Sequence, residues 1–169
     1  HGAGEGGTDP SIAILGNQVT NLAKDVIQKY FVTDTVKGAY VLAAQTPTMW
    51  MDGGDGEYSN DVASQYYVQA LKGLIDAYIE ENGDIDMNRI YIGGCSNGGF
   101  MTVNMIFNFP DFFAAAYPIC EAYPTGDVSA EKVEKIKDLP VWFTHSANDN
   151  TVKISDVQSG MTGTAMTEE

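Results

Sequence analysis

The pattern Gly94-x-Ser96-x-Gly98 lies within IYIGGCSNGGFMT, Ile90 to Thr102. A β-branched run precedes it and a helical run follows it. A serine on a tight turn between strand and helix holds its hydroxyl above the sheet. Flanking glycines let neighbouring backbone approach without Cβ clashes. The helix that starts there aims N–H groups and a positive dipole end at the same point. Such a serine attacks an electrophilic carbon once a base takes its proton. Cys95 is a poor candidate for that attack, because the turn presents Ser96.

The other residues suited to this chemistry sit elsewhere in the chain. HGAGEGG, His1 to Gly7, can donate backbone N–H groups to a developing oxyanion. Ala3 is the first choice of donor, with Gly2 or Gly4 as alternatives. The second donor is the N–H of the residue after the serine, Asn97. His1 reads as structural in such a loop. HSANDNTV, His145 to Val152, follows a late apolar run and offers a carboxylate at Asp149. A carboxylate there can orient a histidine base. Glu121 is a weaker alternative acid, and His145, ahead of Asp149, reads as structural. Trp50 and Glu121 are candidates for lining a substrate pocket, with plain packing the equal alternative for Trp50. Asp52, Asp55 and Glu57 lack the spacing of an EF-hand loop, so no metal is expected. Cys95 and Cys120 read as two buried thiols, with a disulfide geometrically open.

Positioning these groups requires alternating strands and helices. The pattern predicts a helix over 14–31, a buried strand over 38–44 and a polar loop over 45–57. A helix over 61–81 should follow, capped by Ser59 or Asn60, with Val62, Tyr66, Ala70, Ile75 and Ile79 facing inward. Strands are expected at 89–93, 114–118 and 140–144. Helices are expected from Ser96 or Asn97 to Pro110 and over 129–136. Beyond Val152 no strong element can be placed. There is no internal repeat or linker, so the chain reads as one domain over 1–169.

The totals narrow the function classes. The 169 residues have a net charge of −14, which disfavours nucleic acid and anionic membranes as partners. No stretch approaches the ~20 apolar residues of a membrane-spanning helix. The opening residues lack the basic-then-apolar pattern of a signal peptide and do not begin with Met.

These residues together resemble the α/β-hydrolase superfamily. The branch is that of polyhydroxybutyrate depolymerases, feruloyl esterases and prolyl-oligopeptidase-like hydrolases. The matching pieces are HGAGEGG, VLAAQTP (Val41–Pro47), DMNRIYIGGCSNGGFMT (Asp86–Thr102), FAAAYPIC (Phe113–Cys120) and LPVWFTHSANDNTV (Leu139–Val152). The resemblance implies an α/β-hydrolase fold, a mostly parallel sheet with helices on both faces. It implies a Ser-His-Asp triad cleaving carboxylic esters through an acyl-enzyme, with no cofactor. Ser96 would be the nucleophile, Asp149 the acid, and Ala3 and Asn97 the oxyanion hole. The expected substrate is a small or polymer-linked ester, met outside the cell. In such enzymes the catalytic histidine lies well after the acid. Here it is expected outside the chain, with the fold truncated at both ends and the fragment alone a poor esterase. The rival readings are a prolyl-oligopeptidase-type peptidase and a non-catalytic binding module.

Overall fold

The structure is a computed structural model that describes residues 1–63 and 66–153. Its centre is the helix α4, Asn97–Asn108, in which every residue from Asn97 to Phe107 is buried. A helix apolar all round can be stable only inside a core. The sequence NGGFMTVNMIFN provides this, because its polar members are small or hydrogen-bonded. Thr102 donates to Gly98 O at 2.9 Å, inside the helix itself.

Strands β1 (Tyr91–Cys95) and β2 (Ala115–Ile119) pair in parallel, with Tyr91 opposite Ala115 and Cys95 opposite Ile119. α4 is the crossover between them and packs on both. The segment 140–144 lies along the other side of β2, also parallel. It bridges Ala116 to Val141 and Ile119 to Thr144. Its bonds include Trp142 N–H to Ala116 O at 2.9 Å and Cys120 N–H to Thr144 O at 2.7 Å. β2 is therefore the middle of three parallel segments. The core joins α4 to Val68, Phe113, Ala116, Tyr123 and Ile136, with Trp50, Met51 and Val62 at one end.

Helices α3 (Val68–Glu81) and α5 (Ala130–Lys135) pack against α4. Ser129 caps α5 by accepting Lys132 N–H at 3.2 Å. The α/β reading with a parallel sheet stands. A larger sheet with helices on both faces is not present among the described residues.

Several elements differ from expectation. The first helix, α1, runs Pro10–Leu15, set by the Asp9 cap and the proline after it. A 3-10 segment, Gly16–Ala23, follows, with Asn17 and Gln18 at φ 46° and 57°. The short α2 covers Asp25–Gln28. The run 14–31 is thus broken by Gly16-Asn17, a helix-ending pair whose signal outweighs the apolar spacing. Residues 38–44 are not in a strand. The Ala39 N–H goes instead to Gln28 Oε1 at 2.7 Å. An apolar run alone does not specify a ladder partner.

The expected helix start at Asp61 is also displaced. Ser59 Oγ accepts Asp61 N–H at 3.2 Å, and Asp61 Oδ1 accepts Ala63 N–H at 2.9 Å. These local side-chain bonds make turns that compete with helix, and α3 begins only at Val68. Its inner stripe is the buried Val68 with the half-buried Leu71 and Ile75, while Tyr66 and Ala70 are exposed. β1 and β2 each lie slightly later than expected, reaching Cys95 and Ile119.

Candidate active site

Three loops leave the carboxyl ends of three neighbouring parallel segments. β1 leads to Ser96, β2 to Cys120-Glu121, and 140–144 to His145–Asp149. In open α/β sheets this end of the strands is where ligands bind.

Ser96 has φ 56° and ψ −114°, a conformation costly for any residue with a Cβ. Packing holds it there. Its N–H donates to Ile119 O at 2.8 Å, and its carbonyl accepts Phe100 N–H at 2.9 Å to begin α4. A Cβ on Gly94 would lie 2.4 Å from Gly98 O, and one on Gly98 would lie 2.8 Å from His1 O. Only glycine fits at either place. Serine at a helix N-cap ordinarily spends its hydroxyl on an N–H of the first turn. Ser96 does not, which leaves Oγ available for other chemistry.

The contact with His1 places the glycine-rich loop against the elbow. Thr46 N–H donates to His1 Nε2 at 3.0 Å, and His1 Nδ1 lies 2.8 Å from Gly2 O. Nε2 is thus the acceptor, so Nδ1 carries the proton and donates to Gly2 O. Both ring nitrogens are used in holding the loop, as a structural role requires. Ala3 is exposed in the one-turn 3-10 helix Ala3–Glu5. It and Asn97 each occupy the first position of a helix, where no intrahelical acceptor claims the N–H.

The Asn97 side chain has a task that sequence reasoning did not assign. Its Oδ1 accepts Trp50 N–H at 2.6 Å and Met51 N–H at 3.4 Å. The elbow thereby anchors the 50–51 loop. Trp50 is 7% exposed, its ring 4.9 Å from that of His1. It packs in the core and also lines a shallow pocket, too small for a substrate, with Met51, Tyr66, Phe100 and Asn104. A buried amide beside two glycines is the only sequence signal for the Asn97 clamp, and it is a faint one.

Glu121 is 2% exposed, with its Cα lying 2.7 Å from where a Cβ on Gly99 would be. Oε2 accepts Tyr123 N–H at 2.5 Å, while Oε1 is buried without a hydrogen-bond partner among the described residues. Burial raises its pKa to about 7, against the opposing pull of the Tyr123 N–H. The carboxyl therefore titrates near neutrality behind the nucleophile's helix.

Asp149 is held by its own loop. Oδ1 accepts Val152 N–H at 2.9 Å and Thr151 N–H at 2.8 Å. These two bonds, with a smaller contribution from His145, hold its pKa below the ordinary carboxylate value. Oδ2 is 3.6 Å from His145 Nε2, and that nitrogen lies 2.7 Å from Val152 O. His145 is thus tied to the loop's own backbone. The structure brings Ser96, Asn97, the Ala3 loop, Trp50 and Glu121 into one packed unit and sets Asp149 on the third strand-end loop.

Cys95 and Cys120 have their sulfurs 3.4 Å apart. Burial first, then the neighbouring Cys120, raises Cys95 to about 11. At neutral pH it is a thiol, which disqualifies it as a nucleophile competing with Ser96. Among the described residues no group of three or more His, Cys, Asp or Glu could hold a metal ion.

Residues 49–159 match the model of the prolyl oligopeptidase family. The chain is 36% identical over 70 residues to poly(3-hydroxyalkanoate) depolymerase C of Paucimonas lemoignei, a match covering 41% of this chain and 16% of that protein. It is 35% identical over 80 residues to a probable chloroplastic glutamyl endopeptidase of Arabidopsis thaliana, covering 46% and 8% respectively. Among solved structures, a thermostable esterase matches over 94% of this chain and 39% of its own, at 34% identity and a TM-score of 0.69. The chain thus spans well under half the length of these relatives. It belongs to the prolyl oligopeptidase family, and the α/β-hydrolase resemblance read from its motifs holds.

Proposed function

We propose that the chain carries the nucleophile, the oxyanion donors and the acid of a serine hydrolase that cleaves carboxylic esters. The observation that carries this reading is Ser96 itself, held at φ 56° with a hydroxyl that does not cap its own helix. Strain maintained by surrounding packing is a feature of functional positions. Ser96 Oγ attacks the ester carbonyl, and a histidine takes its proton. Asp149 orients that histidine. The N–H groups of Ala3 and Asn97 stabilise the tetrahedral oxyanion, the alcohol leaves, and water resolves the acyl-enzyme. The histidine comes from outside these 169 residues, since His1 and His145 have ring nitrogens engaged with backbone groups. The reaction needs no cofactor, and its substrate is a small or polymer-linked ester met outside the cell.

Likeness to an esterase along 94% of the chain supports ester over amide cleavage. The family match and the likeness to a glutamyl endopeptidase favour a second reading, peptide hydrolysis. Treatment of the full-length protein with a fluorophosphonate, followed by mapping, tests the nucleophile. A single adduct on Ser96 is expected. An unmodified Ser96 under conditions that label a control hydrolase overturns the catalytic reading. Parallel assays on p-nitrophenyl esters and on proline- and glutamyl-anilide peptides separate the two activities. Faster turnover of the anilides would replace esterase with peptidase.

A further inference from the structure

β1 and β2 end side by side, and each end carries a cysteine. Cys95 is the last residue of β1, opposite Ile119, the last of β2. Cys120 comes one residue later, so ordinary strand alternation would send its side chain to the opposite face from that of Ile119. It does not continue as a strand. Cys120 has φ 37°, one of four non-glycine residues with positive φ among the described residues. That turn accompanies a close approach of the two sulfurs, 3.4 Å apart. Both residues are half-buried, leaving an edge to solvent.

We propose that Cys95 and Cys120 are a cross-linking site, which closes into a disulfide beneath the nucleophile. The sulfurs must move from 3.4 Å to the ~2.05 Å of a bond. The chemistry is exchange with a low-molecular-weight disulfide. One cysteine thiolate attacks it, forming a mixed disulfide and releasing one small thiol. The second cysteine thiolate then attacks the mixed disulfide and releases the other. The two protons lost by the cysteines end on the two small thiols released, the protein pair is oxidised and the small disulfide is reduced. The closed loop joins residues 25 apart in sequence and contains α4 and β2. It ties together the two strand ends that carry Ser96 and Glu121. The raised pKa of Cys95 makes it a slow attacker and a poor leaving group, so the bond forms slowly and resists reduction. Such a bond persists in an oxidising compartment.

The test does not depend on the esterase reading. Trypsin cleaves after Arg89 and next after Lys132, so both cysteines fall in one peptide. The full-length protein is equilibrated with excess oxidised glutathione, denatured in iodoacetamide and digested. The expected peptide carries no label and is about 2 Da lighter than the dithiol. After reduction it takes two labels. Reduction should also lower Tm by roughly 10 °C in the wild type. It should leave Tm unchanged in Cys120→Ala, which already lacks the bond. Two labels on the peptide before reduction, or a glutathione adduct on either cysteine with no intrachain bond, would overturn the proposal.

Discussion

The elbow and the acid loop both sit at the carboxyl end of a parallel segment, yet they are held by different forces. Ser96 is fixed by packing. Glycines 94 and 98 admit backbone at distances no Cβ tolerates, and the helix behind them is buried from Asn97 to Phe107. Asp149 is fixed by two hydrogen bonds to N–H groups two and three residues ahead, on a loop facing solvent. Position at the elbow is a property of the core, whereas position at the acid is a property of eight residues. A side chain added at either elbow glycine should therefore cost folding, and a substitution at the acid should cost little.

The largest effect is expected at Gly94. A methyl there meets backbone, Gly98 O at 2.4 Å and Gly98 C at 2.5 Å, and not the end of a flexible side chain. Gly94→Ala should destabilise the protein by about 3 kcal/mol, seen as a Tm fall of roughly 6–12 °C. A Tm within 2 °C of wild type would mean the elbow is not set by packing.

Glu121 gives the second effect, and it depends on pH. Its folded pKa of about 7 is above the ordinary 4.5, so the folded protein retains a proton the unfolded chain has released between those values. Stability contributed by this group is complete below pH 4.5, falls as pH rises through that window, and is lost above 7. The loss approaches roughly 3 kcal/mol. Glu121→Gln removes the charge that burial penalises. Denaturant melts should show the variant more stable than wild type at pH 8 and close to it at pH 4. Parallel pH profiles for the two proteins would refute the buried-carboxyl account.

Ser96→Gly sharpens the contrast further. Glycine tolerates φ 56° without the Cβ penalty, so the variant should gain about 1–2 kcal/mol while ester hydrolysis falls by a factor of roughly 10⁴ or more. A variant that loses both stability and activity would show that the serine contributes contacts beyond its hydroxyl.

These differences also explain what could be read from residue order. The elbow was legible because its constraints are local in sequence: strand, glycine, serine, glycine and helix are contiguous. Ser129 and α5 were legible for the same reason. The 38–44 segment was not, because an apolar run carries no information about its partner. The helix start expected at Asp61 was misread because Ser59 and Asp61 have two uses, capping a helix or bonding backbone two residues on, and the second prevails. The clamp from Asn97 to Trp50 joins residues 47 apart, and Glu121, whose Oε1 is buried without a partner among the described residues, sets its Cα and Cβ against Gly99. Neither distance leaves a pattern in the chain. The family resemblance supplied the role expected of Asp149, and geometry then supplied how it is held.

The smallest folding effect is expected at that residue. Asp149→Asn keeps an Oδ1 able to accept the Thr151 and Val152 N–H groups, so the loop should survive with Tm within about 2 °C of wild type at pH 7. It loses the charge that those N–H groups favour. The wild-type contribution is present above the ordinary carboxylate pKa of 3.8 and is lost as pH falls through the lowered folded value. The variant should lack that acid-side loss. Activity is the opposite case. An amide does not hold a histidine in the tautomer a carboxylate does, so turnover in the full-length protein should fall by roughly 10⁴. A large Tm loss with activity retained would invert the comparison, making Asp149 a turn residue and leaving Glu121, on the neighbouring strand end, as the carboxylate to test next.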